Sequence, residues 1–247
     1  MFATLRAKGL LWPALMVTLC VPVLVMLGNW QMTRKTWKEG LIASIEARTK
    51  APPVSLAEAH SLLALKQDIE YLRVKVRGRF LNDKELYLYD PGPEGPGWDV
   101  ITPLEPEGGG TVLVNRGYVP DRLRDPAARP GATPSSQVEV TGLVRAPAKS
   151  ESFTPANDPA RNIWYWRDFS AMFSAAFRNT ERPYSPFFLD AEADTANPAA
   201  YPRGGATLLT LSNKHLEYAL TWYGFALSLI GVFLVYAIPR FKGGETP

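Results

Sequence analysis

Asn213-Lys214-His215-Leu216-Glu217-Tyr218-Ala219-Leu220-Thr221-Trp222-Tyr223 marks the place where a polar segment turns into a long apolar run. From Tyr218 to Ile238 the chain holds no Asp, Glu, Lys, Arg or His. At ~1.5 Å per residue, such a run crosses a hydrocarbon core of roughly 30 Å as one helix. His215 then falls in the first turn, near one membrane surface. His215, Ala219 and Trp222 recur at i, i+4 and i+7, with Tyr218 at i+3, which groups the four toward one face. Ser212 or Asn213 is placed to cap the first free N–H groups.

An imidazole ligates metal in its neutral form. His215 is therefore a candidate axial ligand for a haem, with Tyr218 and Trp222 as apolar ring surface beside it. A second reading stays open on spacing alone. A lone interfacial His can cap a helix or hydrogen-bond in the headgroup layer, and Tyr and Trp are enriched at that depth in any membrane helix.

A second apolar run, Leu10 to Trp30, lies near the start of the chain behind Arg6 and Lys8. Its length exceeds the core of a signal peptide, and it ends in Leu27-Gly28-Asn29-Trp30 without a small-x-small cleavage pattern. We read an uncleaved anchor. Arg6 and Lys8 before it, and Arg240 and Lys242 after the other run, place both ends in the cytoplasm by the positive-inside rule. The expected layout is a cytoplasmic N-terminus (1–9), a first transmembrane helix (10–30), a periplasmic domain (31–213), a second transmembrane helix (214–238) and a cytoplasmic C-terminus (239–247). No Arg- and Ser-rich transit segment precedes the first run, so the expected membrane is the bacterial inner membrane. In this topology Trp30, Gln31, His215 and Trp222 meet at the outer surface and line one pocket if the helices pack.

The 247 residues carry a net charge of +3, two His and one Cys, Cys20, inside the first apolar run. That excludes an intrachain disulfide and a Cys-rich metal site. No basic stretch is interleaved with aromatics, so nucleic-acid binding has no support.

Between the runs the pattern is α+β. Trp30, Thr33, Trp37, Leu41 and Ile45 form a helical stripe that carries the first helix outward until Pro52-Pro53. Ser55-Leu56-Ala57-Glu58 is a capping box for a short helix ending before Lys66 or Asp68, with His60 on it as a surface or structural residue. Leu72 to Phe80, Glu85 to Tyr89, Trp98 to Pro103, Thr111 to Val119, Val138 to Arg145 and Pro186 to Asp190 read as strands, with Pro91 to Gly97 a Gly/Pro loop. They predict an antiparallel, partly barrel-like sheet. Asn162-Ile163-Trp164-Tyr165-Trp166-Arg167-Asp168 reads as an apolar lid on that sheet, and Asp168 to Arg178 as a short helix with Phe169, Met172, Phe173 and Phe177 on one side.

No His-Glu-x-x-His, Gly-x-Ser-x-Gly, Cys-x-x-Cys or dinucleotide loop occurs. An enzyme built on this chain would need His60 or His215 as its base. We expect none.

Five stretches are similar, in order, to the Surfeit-locus cytochrome oxidase assembly factor family. They are Gly28-Asn29-Trp30-Gln31 with Arg34 and Lys38; Trp98-Asp99-Val100-Ile101-Thr102-Pro103-Leu104; Val112 to Pro120; Asn162 to Asp168; and Asn213-x-His215-x-x-Tyr218-Ala219-x-Thr221-Trp222. Tyr118 and Tyr223 replace Trp and Phe of many members, aromatic for aromatic. The resemblance implies an assembly factor for a haem-copper terminal oxidase that binds haem a and helps deliver it to the oxidase catalytic subunit. It implies His215 as the metal ligand and the Trp30–Gln31 end of the first helix as pocket wall. Its implied partners are that subunit, the haem a synthesis enzymes and membrane lipid. The alternative is a cofactor-free, membrane-tethered scaffold for oxidase subunits.

Overall fold

The computed structural model describes residues 2–92, 94–177, 182–205 and 212–242. The chain divides into two compact units: Met1–Ser44 with Thr210–Pro247, and Ile45–Leu209.

The first unit is helical. A short helix α1 (Phe2–Ala7) precedes α2 (Leu11–Lys50), and α5 (His215–Lys242) closes the chain. α2 runs past its apolar part to Lys50, as the stripe from Trp30 to Ile45 requires, and it carries Pro22 without a break. The most apolar stretches of α2 and α5 have mean hydropathies of 2.2 and 1.8. Only 6% and 11% of those stretches are buried. They are long and apolar enough to cross a membrane, and unlike the core helices of a soluble protein they turn their apolar side chains outward. At one end of the pair Lys8 Nζ donates to the carbonyls of Arg240 (2.9 Å) and Phe241 (3.2 Å), the orphan acceptors of a helix C-terminus.

The second unit is a sheet with short helices. Its elements are β1 (Val54–Ser55), α3 (Leu56–Ala64), β2 (Arg73–Phe80), β3 (Leu86–Gly92), β4 (Gly95–Pro106), β5 (Val112–Pro120), β6 (Val138–Arg145), α4 (Phe169–Phe177) and β7 (Phe188–Ala191). Ser55 Oγ accepts from the Glu58 N–H at 3.2 Å, which starts α3 as the capping box predicts. The strand order is β1-β2-β6-β7-β5-β4-β3, and a further β2–β4 pairing closes a ring of strands.

The sheet is mixed, where the alternating pattern predicts an antiparallel one. β1 runs parallel to β2, and β7 inserts between β6 and β5, parallel to β5. Alternation reports which face a residue takes, not which strand lies beside it. The stretch Pro91 to Gly97 is the paired tip of a β3–β4 hairpin, with Pro91 opposite Pro96 and Gly92 opposite Gly95. The Tyr118 ring fills the space there: a Cβ on Gly92 or Gly97 would come within 2.3 or 2.4 Å of it.

Two apolar layers share the central strands. Val74, Val76, Leu104, Val112, Val114, Val144 and Leu189 form one, against α3. Ile101, Leu113 and Phe188 face the other way, under Trp164 and the α4 residues Phe169, Met172, Phe173 and Phe177. β5 is therefore buried along nearly all its length. The aromatic stretch does form a lid: Trp164 is fully buried and its backbone bonds to Tyr87 and Tyr89, at the edge of β3. α4 starts at Phe169 because the Asp168 carboxylate caps the Ala171 N–H at 3.0 Å. The expected end of this helix at Arg178 lies outside the described residues.

The sequence gives no warning of the charge buried in this sheet. Glu85, on the turn before β3, pairs with Arg129 and Arg116, and the side chains of Glu85 and Arg129 are each 2% exposed. Burial pulls Arg116 down to about 10. Across β4, β5 and β7, Asp99 accepts from Asn115 Nδ2 at 2.8 Å, and Arg167 binds Asp190 at 2.8 and 3.1 Å. Burial, with the charges of Asp90 and Asp190, pushes the Asp99 carboxyl up to about 6 against the pull of Asn115 and Arg167.

Because Asp99 binds its proton more tightly folded than unfolded, its contribution favours the fold below about pH 4 and is lost as pH rises toward 6. Asp99→Asn removes that loss. Denaturant unfolding of the solubilised protein should show the variant ~1–3 kcal/mol more stable than wild type at pH 7.5, with the difference shrinking by pH 4. A variant less stable at pH 7.5 would show that the charge itself holds the strands together.

Candidate functional site

α2 and α5 approach closely at Gly28. A Cβ there would sit 2.3 Å from the Tyr223 ring, so only a hydrogen fits. The same Tyr223 donates its hydroxyl to Asn29 Oδ1 at 2.7 Å. Along α5 the small side chains Ala219, Ala226 and Ala237 are 0%, 4% and 5% exposed, as expected where spanning helices pack backbone to backbone. The contact stripe thus runs His215, Ala219, Tyr223, Ala226.

At the end of this stripe His215 Nδ1 lies 2.7 Å from Gln31 Oε1. A side-chain carbonyl only accepts, so this contact is a hydrogen bond in the tautomer that carries its proton on Nδ1. In a neutral ring Nε2 then keeps its lone pair, and no hydrogen bond engages it among the described residues. His215 and Gln31 are both half-buried. Gln31 lies one helical turn past Gly28, so the close contact at Gly28 also fixes where Gln31 points.

Of the five residues singled out by sequence, the structure joins two, His215 and Gln31. Trp30 and Tyr218 are 54% and 56% exposed. Trp222 is half-buried with its ring edge-on to Phe225 at 6.1 Å. Among the described residues no ring contact links these three to the imidazole. The reason is angular. The stripe centres on Ala219, and Tyr218 lies about 100° round the helix from it. These aromatics form an outward rim, not a wall against His215.

The capping expectation fails in detail. α5 begins at His215, so Lys214 holds the cap position, and Asn213 Oδ1 is buried with no hydrogen-bond partner among the described residues. Sequence reasoning missed Gly28, Asn29 and Tyr223. A glycine inside an apolar run, followed by Asn, was the available signal for a close, polar helix contact. The other histidine, His60, lies 2.9 Å from the hydroxyl of Ser185, which is 2% exposed, and ties α3 to the segment before β7.

Among the described residues, no group of three or more His, Cys, Asp or Glu is placed to hold a metal ion. A haem asks less of a protein. The porphyrin supplies four nitrogens and the chain supplies an axial ligand. One oriented imidazole with an open Nε2, on an apolar helix pair, fits that need.

Gly28→Ala should force the Tyr223 ring aside and break its bond to Asn29. We expect a loss of ~1–3 kcal/mol in the solubilised protein, partly regained in Gly28→Ala/Tyr223→Ala. Thermal unfolding of the three variants measures this, and a Gly28→Ala protein as stable as wild type would contradict the close packing.

The SURF1 family pattern matches residues 18–227. Surfeit locus protein 1 of Xenopus tropicalis is 38% identical over 224 residues, covering 83% of this chain and 70% of the relative. That of Homo sapiens is 38% identical over 228 residues, 85% and 73% respectively. A SURF1-like protein of Monosiga brevicollis is 36% identical over 258 aligned residues, 98% and 92%. The match runs through both apolar helices and the sheet domain between them in sequence, and the chain belongs to the SURF1 family, the family of the cytochrome oxidase assembly factor.

Proposed function

We propose that this chain is a non-enzymatic assembly factor that takes up haem a as cargo at the α2–α5 contact and helps pass it to the catalytic subunit of a haem-copper oxidase. Family membership supports the oxidase role. The observation that carries the cargo reading is His215, whose Nδ1 is engaged by Gln31 at 2.7 Å and whose Nε2 is left open.

His215 Nε2 acts as the axial ligand, and Gln31 sets the orientation of its ring. Trp30, Tyr218 and Trp222 supply apolar surface around the site, where bilayer lipid otherwise lies. One imidazole gives a hold that is modest and reversible, as a carrier requires. The haem a synthesis enzymes supply the cargo and the oxidase subunit receives it. Arg6 and Lys8 at one chain end, and Arg240 and Lys242 at the other, support cytoplasmic termini in a bacterial inner membrane and a periplasmic sheet domain.

The test is a reduced-minus-oxidised spectrum of protein purified from cells that make haem a. Wild type should show a haem a band, and His215→Ala should lose or shift it. Full haem content in His215→Ala would remove the ligand role. No band in either protein, with oxidase assembly still dependent on the chain, would leave a cofactor-free scaffold.

A further inference from the structure

We infer that Gln31 is a positioning residue: its side-chain carbonyl holds the His215 imidazole in the Nδ1–H tautomer, so that the first spanning helix sets which nitrogen the second one presents. The inference concerns the chain without its cargo, and its use in ligation rests on the function proposed above.

A neutral imidazole has one N–H, and the hydrogen bond made by one ring nitrogen decides what the other can do. In water both tautomers interconvert. Here one acceptor, Gln31 Oε1, stands 2.7 Å from Nδ1, and no second group competes at Nε2 among the described residues. Away from bulk water such a bond is electrostatically stronger than in solution, and the opposite tautomer would set a lone pair against a carbonyl oxygen.

The placement of Gln31 is itself determined. Gly28, one turn before it, lies against the Tyr223 ring, and Asn29 accepts from the Tyr223 hydroxyl at 2.7 Å. These contacts fix both the rotation of α2 and its register along α5. Gln31 therefore reaches His215 only while the two helices keep this register. An acceptor on the non-ligating nitrogen also makes the other nitrogen a better electron donor, the usual office of groups behind a metal-bound histidine.

The experiment uses the full chain in detergent with histidine labelled by 15N, in a His60→Gln background so that His215 is the one histidine. The apo wild type should show a protonated Nδ1 and a pyridine-like Nε2. Gln31→Leu should populate the Nε2–H tautomer. Gln31→Glu, which keeps an acceptor, should restore the Nδ1–H form. A wild-type protein protonated at Nε2, or a tautomer unmoved by Gln31→Leu, would overturn the inference.

With haem a loaded, Gln31→Leu should weaken binding about 10-fold or more. It should raise the midpoint potential, and Gln31→Glu should lower it. Equal potentials in the three proteins would overturn the electronic part of the role. If the apo tautomer responds as stated and the wild type takes up no haem, the Gln31 assignment holds and the carrier reading fails, so the two are separable.

Discussion

A polar side chain between apolar helices has no water to turn to, so it finds its partner across the helix contact or costs several kcal/mol. Across α2 and α5 two side-chain pairs form, Tyr223 with Asn29 and His215 with Gln31, while Thr18, Thr33, Thr36 and Thr221 bond back to carbonyls of their own helices. Both pairs depend on the absence of a side chain at Gly28, which lets the helices come close enough for short side chains to meet. The ammonium of Lys8 on the α5 C-terminal carbonyls pins the far end of the same pair. Helix register, not any single residue, places the imidazole.

The sheet domain solves its own version of this problem with charge. A ring of strands closed by the β2–β4 pairing leaves few edges, and its two apolar layers bury β5 on both faces. Polar side chains trapped in those strands are satisfied in sets: Glu85 with Arg129 and Arg116, and Asp190 with Arg167. Asp99 and Thr102, both on β4, are not fully satisfied in this way, and Thr102 Oγ1 has no hydrogen-bond partner among the described residues. One Asp99 oxygen accepts from Asn115 while the other has no hydrogen-bond partner among the described residues, and burial pushes the carboxyl up to about 6. Removing one partner of a buried ion pair such as Glu85 and Arg129 would leave the other charge uncompensated, at a cost of about 3–5 kcal/mol.

Both apolar helices, the Ser55 cap, the buried face of α4 and the alternation of β2 were legible because each is local, written in a period or a cap. β7 was legible as a strand but not as a neighbour: four residues at Phe188–Ala191 cannot say that they lie between β5 and β6. Likewise the β3–β4 tip reads as a Gly/Pro loop until the Tyr118 ring that fills the space beside Gly92 and Gly97 is seen. In the site, His215 was found from its position and Gln31 from its place at the end of the first apolar run. Spacing at i+3 puts Tyr218 beside the ring, but the contact stripe runs through Ala219 and Tyr223 and leaves Tyr218 turned outward. The helix period narrows a face to a third of the circumference, and only the neighbour chooses within it.

The claim at the centre is an iron–nitrogen bond to His215, and it can be measured without reference to oxidase assembly. A pulsed electron–nuclear resonance measurement would use the ferric haem-loaded protein, with histidine alone 15N-labelled and His60 replaced by Gln. This account predicts one strongly coupled 15N from the axial imidazole, absent when His215 is also replaced. Bound haem with no coupled 15N would contradict it, whatever the family does elsewhere.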